Sequence, residues 1–198
     1  MKKQIENNNN FQNIKNHQEP PRGLIQSIID TFANGQKKEA IIEIEALIKD
    51  YPLAPLLLNI SGTFYKSNGQ LDFAATKFEQ ALSLKQNYAE AHYNLGVTLR
   101  ELGKIKEAIK SYKNAISIKN AYPNAHYNLG NALLSLKQYN DAIKHFASAV
   151  TFDPKFAQAY HNLGLSYKHL RKDLEAGNNF DKALVIKPDY AEAANNRG

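Results

Sequence analysis

The chain has 198 residues, 43% hydrophobic and 22% charged, a balance that suits a folded, soluble protein. It contains no Cys, which excludes disulfides, thiolate metal sites and Cys nucleophiles. The net charge of +6 is mild and spread out, so Lys and Arg do not concentrate on one face as in a nucleic-acid binder.

In chain order, MKKQIENNNNFQNIKNHQEPP lacks the continuous apolar core of a signal peptide. No later run approaches the roughly 18 apolar residues that a membrane helix needs. Residues 1–20 offer little to bury and are expected to be disordered. The chain is read as cytoplasmic, with neither a membrane nor a nucleic-acid partner. The most basic stretch, KIKEAIKSYK at 104–113, is interrupted by Glu107 and is read as a solvated helix face.

From residue 21 onward a phrase recurs. YAEAHYNLG at 88–96 returns as YPNAHYNLG at 122–130, FAQAYHNLG at 156–164 and YAEAANNRG at 190–198, each time 34 residues on. A fixed period of this size marks stacked supersecondary units. With Leu-Gly at positions 7 and 8, units begin at Pro21, Pro55, Ala89, Pro123, Ala157 and Ala191.

The first unit, 21–54, carries Leu24, Ile25, Ile28, Ile29 and Phe32 on one predicted helix, and Ala40, Ile44 and Leu47 on a second. Its Ser27-Ile28 in place of Leu-Gly marks a divergent N-terminal cap. In 55–88 the same slots hold Leu58 and Gly62, then Ala74, Phe78 and Ala81; in 89–122, His92 and Gly96, then Ala108, Tyr112 and Ala115. In 123–156 they hold His126 and Gly130, then Ala142, Phe146 and Ala149; in 157–190, Tyr160 and Gly164, then Ala176, Phe180 and Ala183. The sixth unit, 191–198, ends at position 8, which reads as a cut through a repeat and hence as a fragment or engineered piece of a longer protein.

Positions 4, 7, 8 and 11 share one helix face, and positions 20, 24 and 27 share a face of the next. The small residues at 8 and 20 let two helices approach closely, and the aromatic at 24 fills the space beside them. Gly35, Gly69 and Gly103 fit the end of the first helix, and Pro52, Pro154 and Pro188 prevent the second from running on. Gln86 and Asn120 stand in that Pro slot, so those two helix ends are expected to be less sharply stopped. A hairpin of this kind cannot bury its own face, and stacking makes the core.

These slots resemble the tetratricopeptide repeat, or TPR, over about 21–198. The resemblance implies an all-α fold, a right-handed superhelical solenoid of helix–turn–helix hairpins whose first helices line a concave groove. It departs from the family at position 4, where Leu58, His92, His126, Tyr160 and Ala194 replace a large aromatic.

Asn94, Asn128, Asn162 and Asn196 all occupy position 6, at the border of the exposed side; Ile60 breaks the row, with Asn59 one residue earlier. Asn presents a donor and an acceptor, which suits the backbone of an extended peptide. The same residues also suit a role in fixing the register between neighbouring helices, and the two roles are compatible. The NLG phrase looks like the superhelical TPR region of O-linked N-acetylglucosamine transferase and its bacterial relatives, which implies that these four Asn contact ligand backbone. Other groove candidates are Tyr93, Tyr127 and His161 at position 5, Asn131 at position 9, and Lys66, Arg100 and Lys168 at position 12. The rings offer rigid contact area or simply cover the next hairpin, and the cations attract an acidic ligand or are ordinary solvated side chains. The clamp that some TPR domains use for a C-terminal carboxylate is rejected, because position 5 holds Tyr or His in the third to fifth units and positions 2 and 6 hold no paired cations.

Nothing in the sequence reads as catalytic: there is no phosphate loop, HExxH or GxSxG. His92 and His126 are read as half-buried structural rings, and His17 and His145 as having no partner. His161 and His169 lie roughly 12 Å apart along one helix, too far to share a metal. Glu107, Asp141 and Glu175 suit the positive ends of the second helices. The expected function is a scaffold that binds a protein or peptide in the groove, with no cofactor, no metal and no enzymatic activity of its own. Two alternatives are the substrate-recruiting lobe of a larger glycosyltransferase- or sulfotransferase-type enzyme, and a piece that self-associates through its truncated last repeat.

Overall fold

A computed structural model describes residues 19–197. The expected disorder of 1–20 therefore falls almost wholly outside the described residues, as do His17 and Gly198. Every regular element among the described residues is a helix. The chain divides between Leu102 and Gly103 into two compact units.

The first unit contains α1 (Arg22–Ala33), α2 (Lys37–Asp50), α3 (Pro55–Ser67), α4 (Leu71–Leu84) and α5 (Ala89–Glu101). Its core gathers Ile25 and Ile28 from α1, Ala40, Ile44 and Leu47 from α2, and Leu57 and Phe64 from α3. Phe32 and Phe64 stack face to face, with centroids 4.0 Å apart. Leu24, expected on the packed face of α1, is instead 52% exposed. Ile25 and Ile28, three residues apart, face the core, and Leu24 lies about 100° round the helix from Ile25.

The second unit contains α6 (Ile105–Ile118), α7 (Pro123–Ser135), α8 (Tyr139–Phe152), α9 (Ala157–His169), α10 (Asp173–Ile186) and α11 (Ala191–Arg197). Here Ala125, Leu129 and Leu133 of α7 are buried along with Ala142, Phe146 and Ala149 of α8. Ala159 and Leu163 of α9 are buried as well, as are Ala176, Phe180 and Ala183 of α10. No described helix with an assigned N-cap has a side-chain cap bond; Glu107, Asp141 and Glu175 lie instead in the first turns of α6, α8 and α10.

The close approach inside each hairpin is set by glycine. A Cβ built on Gly62, Gly130 or Gly164 would lie 2.6 Å from a ring carbon of Phe78, Phe146 or Phe180, the aromatic of the same hairpin. The turn between hairpin helices requires a left-handed residue. Gly69 supplies it at φ +76°, but Lys137 and Arg171 occupy the equivalent place at 59° and 58°. There an ordinary L-residue carries a strain of about 1–2 kcal/mol.

The two Pro-less helix ends are as sharp as the others. α4 and α6 stop at Leu84 and Ile118, in register with Phe152 of α8 and Ile186 of α10. The caps Lys85 and Lys119 have φ −139° and −130°, close to −133° at Asp153 and −132° at Lys187. What replaces Pro is a tether. The Nε2–H of His92 donates to the Gln86 carbonyl at 3.0 Å, and that of His126 to the Asn120 carbonyl at 3.1 Å. Histidine at position 4 thus accompanies a missing Pro six residues before it.

Ser61, fully buried, stands where later repeats have Leu95, Leu129 and Leu163. A buried hydroxyl needs a partner. Ser61 Oγ donates to Glu45 Oε1 at 2.6 Å, and Lys77 Nζ bonds Glu45 Oε2 at 2.6 Å, fastening the first hairpin to the second.

Candidate functional site

Positions 2, 5, 6, 9 and 12 recur at helical spacing on the first helices, so each helix carries them as one stripe. In the first unit Asn94 is half-buried on α5, and its Nδ2 donates to Asn59 Oδ1 of α3 at 3.1 Å. The break in the Asn row at Ile60 is thereby bridged by its neighbour. Tyr93 and Arg100 are half-buried on α5. Lys66 on α3 forms an ion pair with Glu101 of α5 at 3.4 Å.

In the second unit Asn128 and Tyr127 are half-buried on α7. The Tyr127 ring packs on Phe156 at 4.7 Å and Phe146 at 5.9 Å. Asn162 of α9 donates through Nδ2 to Asn131 Oδ1 at 2.7 Å and lies 3.3 Å from the Tyr127 hydroxyl. Asn196 of α11 donates to the Glu192 carbonyl at 2.8 Å and reaches His161 Nε2 at 3.2 Å. Lys168 is exposed, and its Nζ donates to the Asn196 carbonyl at 3.0 Å.

His161 is placed differently from a groove wall residue. It is only 7% exposed, with its ring against Tyr190 at 5.0 Å and Phe180 at 5.7 Å. Its Nδ1–H donates to Asn162 Oδ1 at 3.1 Å while Nε2 accepts from Asn196. Both ring nitrogens are therefore occupied by the neutral tautomer, and burial pushes the pKa down. His161 supports two Asn side chains from beneath.

One rule covers these contacts. The position-6 Asn of one repeat bonds a position-5 or position-9 side chain of the repeat before it: Asn94 to Asn59, Asn162 to Tyr127 and Asn131, and Asn196 to His161. Sequence reasoning missed one partnership. His145, read as having no partner, lies with Nδ1 3.2 Å from Nδ1 of His126. The two sit 19 apart, at position 4 of one helix and position 23 of the next, where the antiparallel hairpin brings them face to face.

No group of three or more His, Asp or Glu among the described residues could hold a metal ion. No helix among them is long and apolar enough to cross a membrane.

The profile described as TPR repeat matches residues 62–99, 98–137 and 130–170, and that described as Tetratricopeptide repeat matches 157–190. The chain belongs to the tetratricopeptide repeat family. No curated protein sequence matches it significantly. Among solved structures, this TPR chain resembles MamA, with 26% identity and a TM-score of 0.77 over 82% of this chain and 95% of MamA. YrrB, described as a TPR protein with an unusual peptide-binding site, shares 23% identity with a TM-score of 0.75 over 87% and 89% of the two chains. PilF of Pseudomonas aeruginosa shares 16% identity with a TM-score of 0.74 over 88% and 87%.

Proposed function

We propose that this TPR chain is a scaffold that binds another protein through an extended segment laid along its first helices. The observation that carries the reading is the set of half-buried position-6 amides, of which Asn94, Asn162 and Asn196 are tied to the preceding repeat. Such a tie holds the amide in place before a ligand arrives, which lowers the ordering cost of binding. Asn94 commits one N–H to Asn59 and keeps a second N–H and Oδ1 for a ligand. That the same fold in YrrB carries a peptide-binding site supports the reading.

Within each unit the contacting residues would be Asn94, Tyr93, Lys66 and Arg100, and Asn128, Asn162, Asn196, Tyr127, Asn131 and Lys168, with His161 acting from beneath. The resemblance to the TPR region of O-linked N-acetylglucosamine transferase enters here on the four Asn alone, as the reason to expect contact with ligand backbone. The array is taken to run over 21–198, which makes the hairpin α1–α2, outside the profile matches, its first repeat, and its place of action is taken to be the cytoplasm.

A second reading, self-association through the last hairpin, is favoured by Leu174 and Val185 of α10, 76% and 82% exposed. A mass that rises with concentration supports it, and a strict monomer at high concentration refutes it. The main reading is tested by binding of unstructured fluorescent peptides to the chain and to an Asn94→Ala, Asn128→Ala, Asn162→Ala variant, with helix content and melting followed in parallel. Binding that falls at a temperature where the variant is still fully folded supports the groove. Unchanged binding refutes it.

A further inference from the structure

The contact between His126 and His145 has a feature that packing alone does not demand. His126 lies on α7 and is 4% exposed; His145 lies half-buried on α8, with ring centroids 5.4 Å apart. The two Nδ1 atoms are 3.2 Å apart, so one carries a proton and the other does not. The Asn120 carbonyl can only accept, so the proton of neutral His126 is on Nε2 and its Nδ1 is bare. His145 is then the Nδ1–H donor. A single arrangement of protons on these nitrogens satisfies every bond, and it requires His126 to be neutral with Nδ1 bare.

A further proton has no good place. On His126 it would set N–H against N–H. On His145 it would sit on Nε2 and spare the bond, but leave a cation among cations. The charged groups facing His145 are Lys113 of α6, and Asp141 and Lys144 of α8, besides His126 itself. Asp141, the one anion, is already bonded to Lys144 at 2.8 Å. Burial first, then His126 and Lys113, bring the His145 pKa from 6.5 to about 4. Burial likewise lowers that of His126.

We propose that the His126–His145 pair is an acid-release latch, which fastens α7 to α8 while His126 is neutral and lets go when Nδ1 of His126 takes a proton. His92 is an internal contrast in the first unit. It makes the same carbonyl tether, to Gln86, but no second histidine opposes its Nδ1, so it takes a proton and keeps its bond. The latch also underlies the candidate face, because Tyr127 and Asn131, the partners of Asn162, ride on α7 just after His126. The inference does not rest on the peptide-binding reading and is tested without a ligand.

The test is an NMR titration of the imidazole nitrogens of the whole chain from neutral to acid pH, with amide hydrogen exchange across α7 and α8. The expected result is coupled titration of His126 and His145. His145 binds its proton about 300-fold more weakly than a free imidazole, a midpoint of about 4 against 6.5. Protection of α7 and α8 falls as His126 takes its proton, below the usual imidazole range. In Lys113→Glu the His145 midpoint rises, and in His145→Gln the acid loss of protection across α7 and α8 shrinks. Independent titration of the two rings close to 6.5 overturns the proposal, as does an acid loss unchanged in His145→Gln. Should that variant not fold, the titration of the unaltered chain decides.

Discussion

Gly130→Ala tests the packing rule of the hairpins. On the helix alone the change is favourable by about 1 kcal/mol, because Ala is the better helix former. Against this, the new Cβ would lie 2.6, 2.8 and 2.9 Å from three atoms along one edge of Phe146. That ring is fully buried and has no open side to retreat into. Overpacking of this kind costs about 1–3 kcal/mol, and three contacts under van der Waals distance argue for the upper part of that range. The net expectation is a loss of about 1–2 kcal/mol. Gly177 on α10 is the control: its added Cβ meets nothing within 4 Å, so Gly177→Ala gains about 0.5–1 kcal/mol. In a Phe146→Leu background the penalty of Gly130→Ala disappears, which shows as a coupling of about 1–3 kcal/mol. Repeat arrays need not unfold in one step, so denaturant midpoints by circular dichroism are read together with hydrogen exchange on α7 and α8. A Gly130→Ala chain as stable as the unaltered one refutes the reasoning.

Lys137→Gly and Arg171→Gly remove left-handed strain and raise the denaturation midpoint, by up to about 1 kcal/mol each after the entropy of Gly is deducted; Gly69→Ala lowers it. Lys77→Met leaves the Glu45 carboxylate half-buried with Ser61 as its remaining partner, and is expected to cost about 1–3 kcal/mol by urea unfolding. Asn162→Ala leaves Asn131 and Tyr127 without their donor and lowers the melting temperature of the second unit, by about 1 kcal/mol in stability. The pH dependence follows from linkage. His92, His126, His145 and His161 all have pKa values below 6.5 in the fold, so the unfolded chain binds more protons below that value. Stability is full above about 6.5 and falls as pH drops toward about 4, which thermal melts across that window check.

The helix positions were legible because the sequence repeats its own punctuation. Pro55, Ala89, Pro123 and Ala157 open helices where the period places them, and Gly62, Gly130 and Gly164 meet Phe78, Phe146 and Phe180 as the small and large residues of one hairpin should. What was hidden depends on contacts between elements. Leu24 looked like part of an apolar stripe, but it lies about 100° round the helix from Ile25, off the face that Ile25 and Ile28 turn to the core. The sharp ends at Gln86 and Asn120 depend on His92 and His126, six residues on, and nothing in the helical period links those slots. His145 finds His126 only once two helices fold back on each other. The Asn set was legible as a pattern. Its partners, Asn59, Asn131, Tyr127 and His161, depend on how one repeat sits on the next.

The central claim is that ligand lies along the first helices. The most direct measurement is amide and side-chain NMR shift mapping on addition of a peptide that binds. Perturbations concentrated on the side-chain amides of Asn94, Asn128 and Asn162 and along α5, α7 and α9 are the predicted result. Perturbations confined to the second helices α4, α6, α8 and α10, with those amides unmoved, would contradict it.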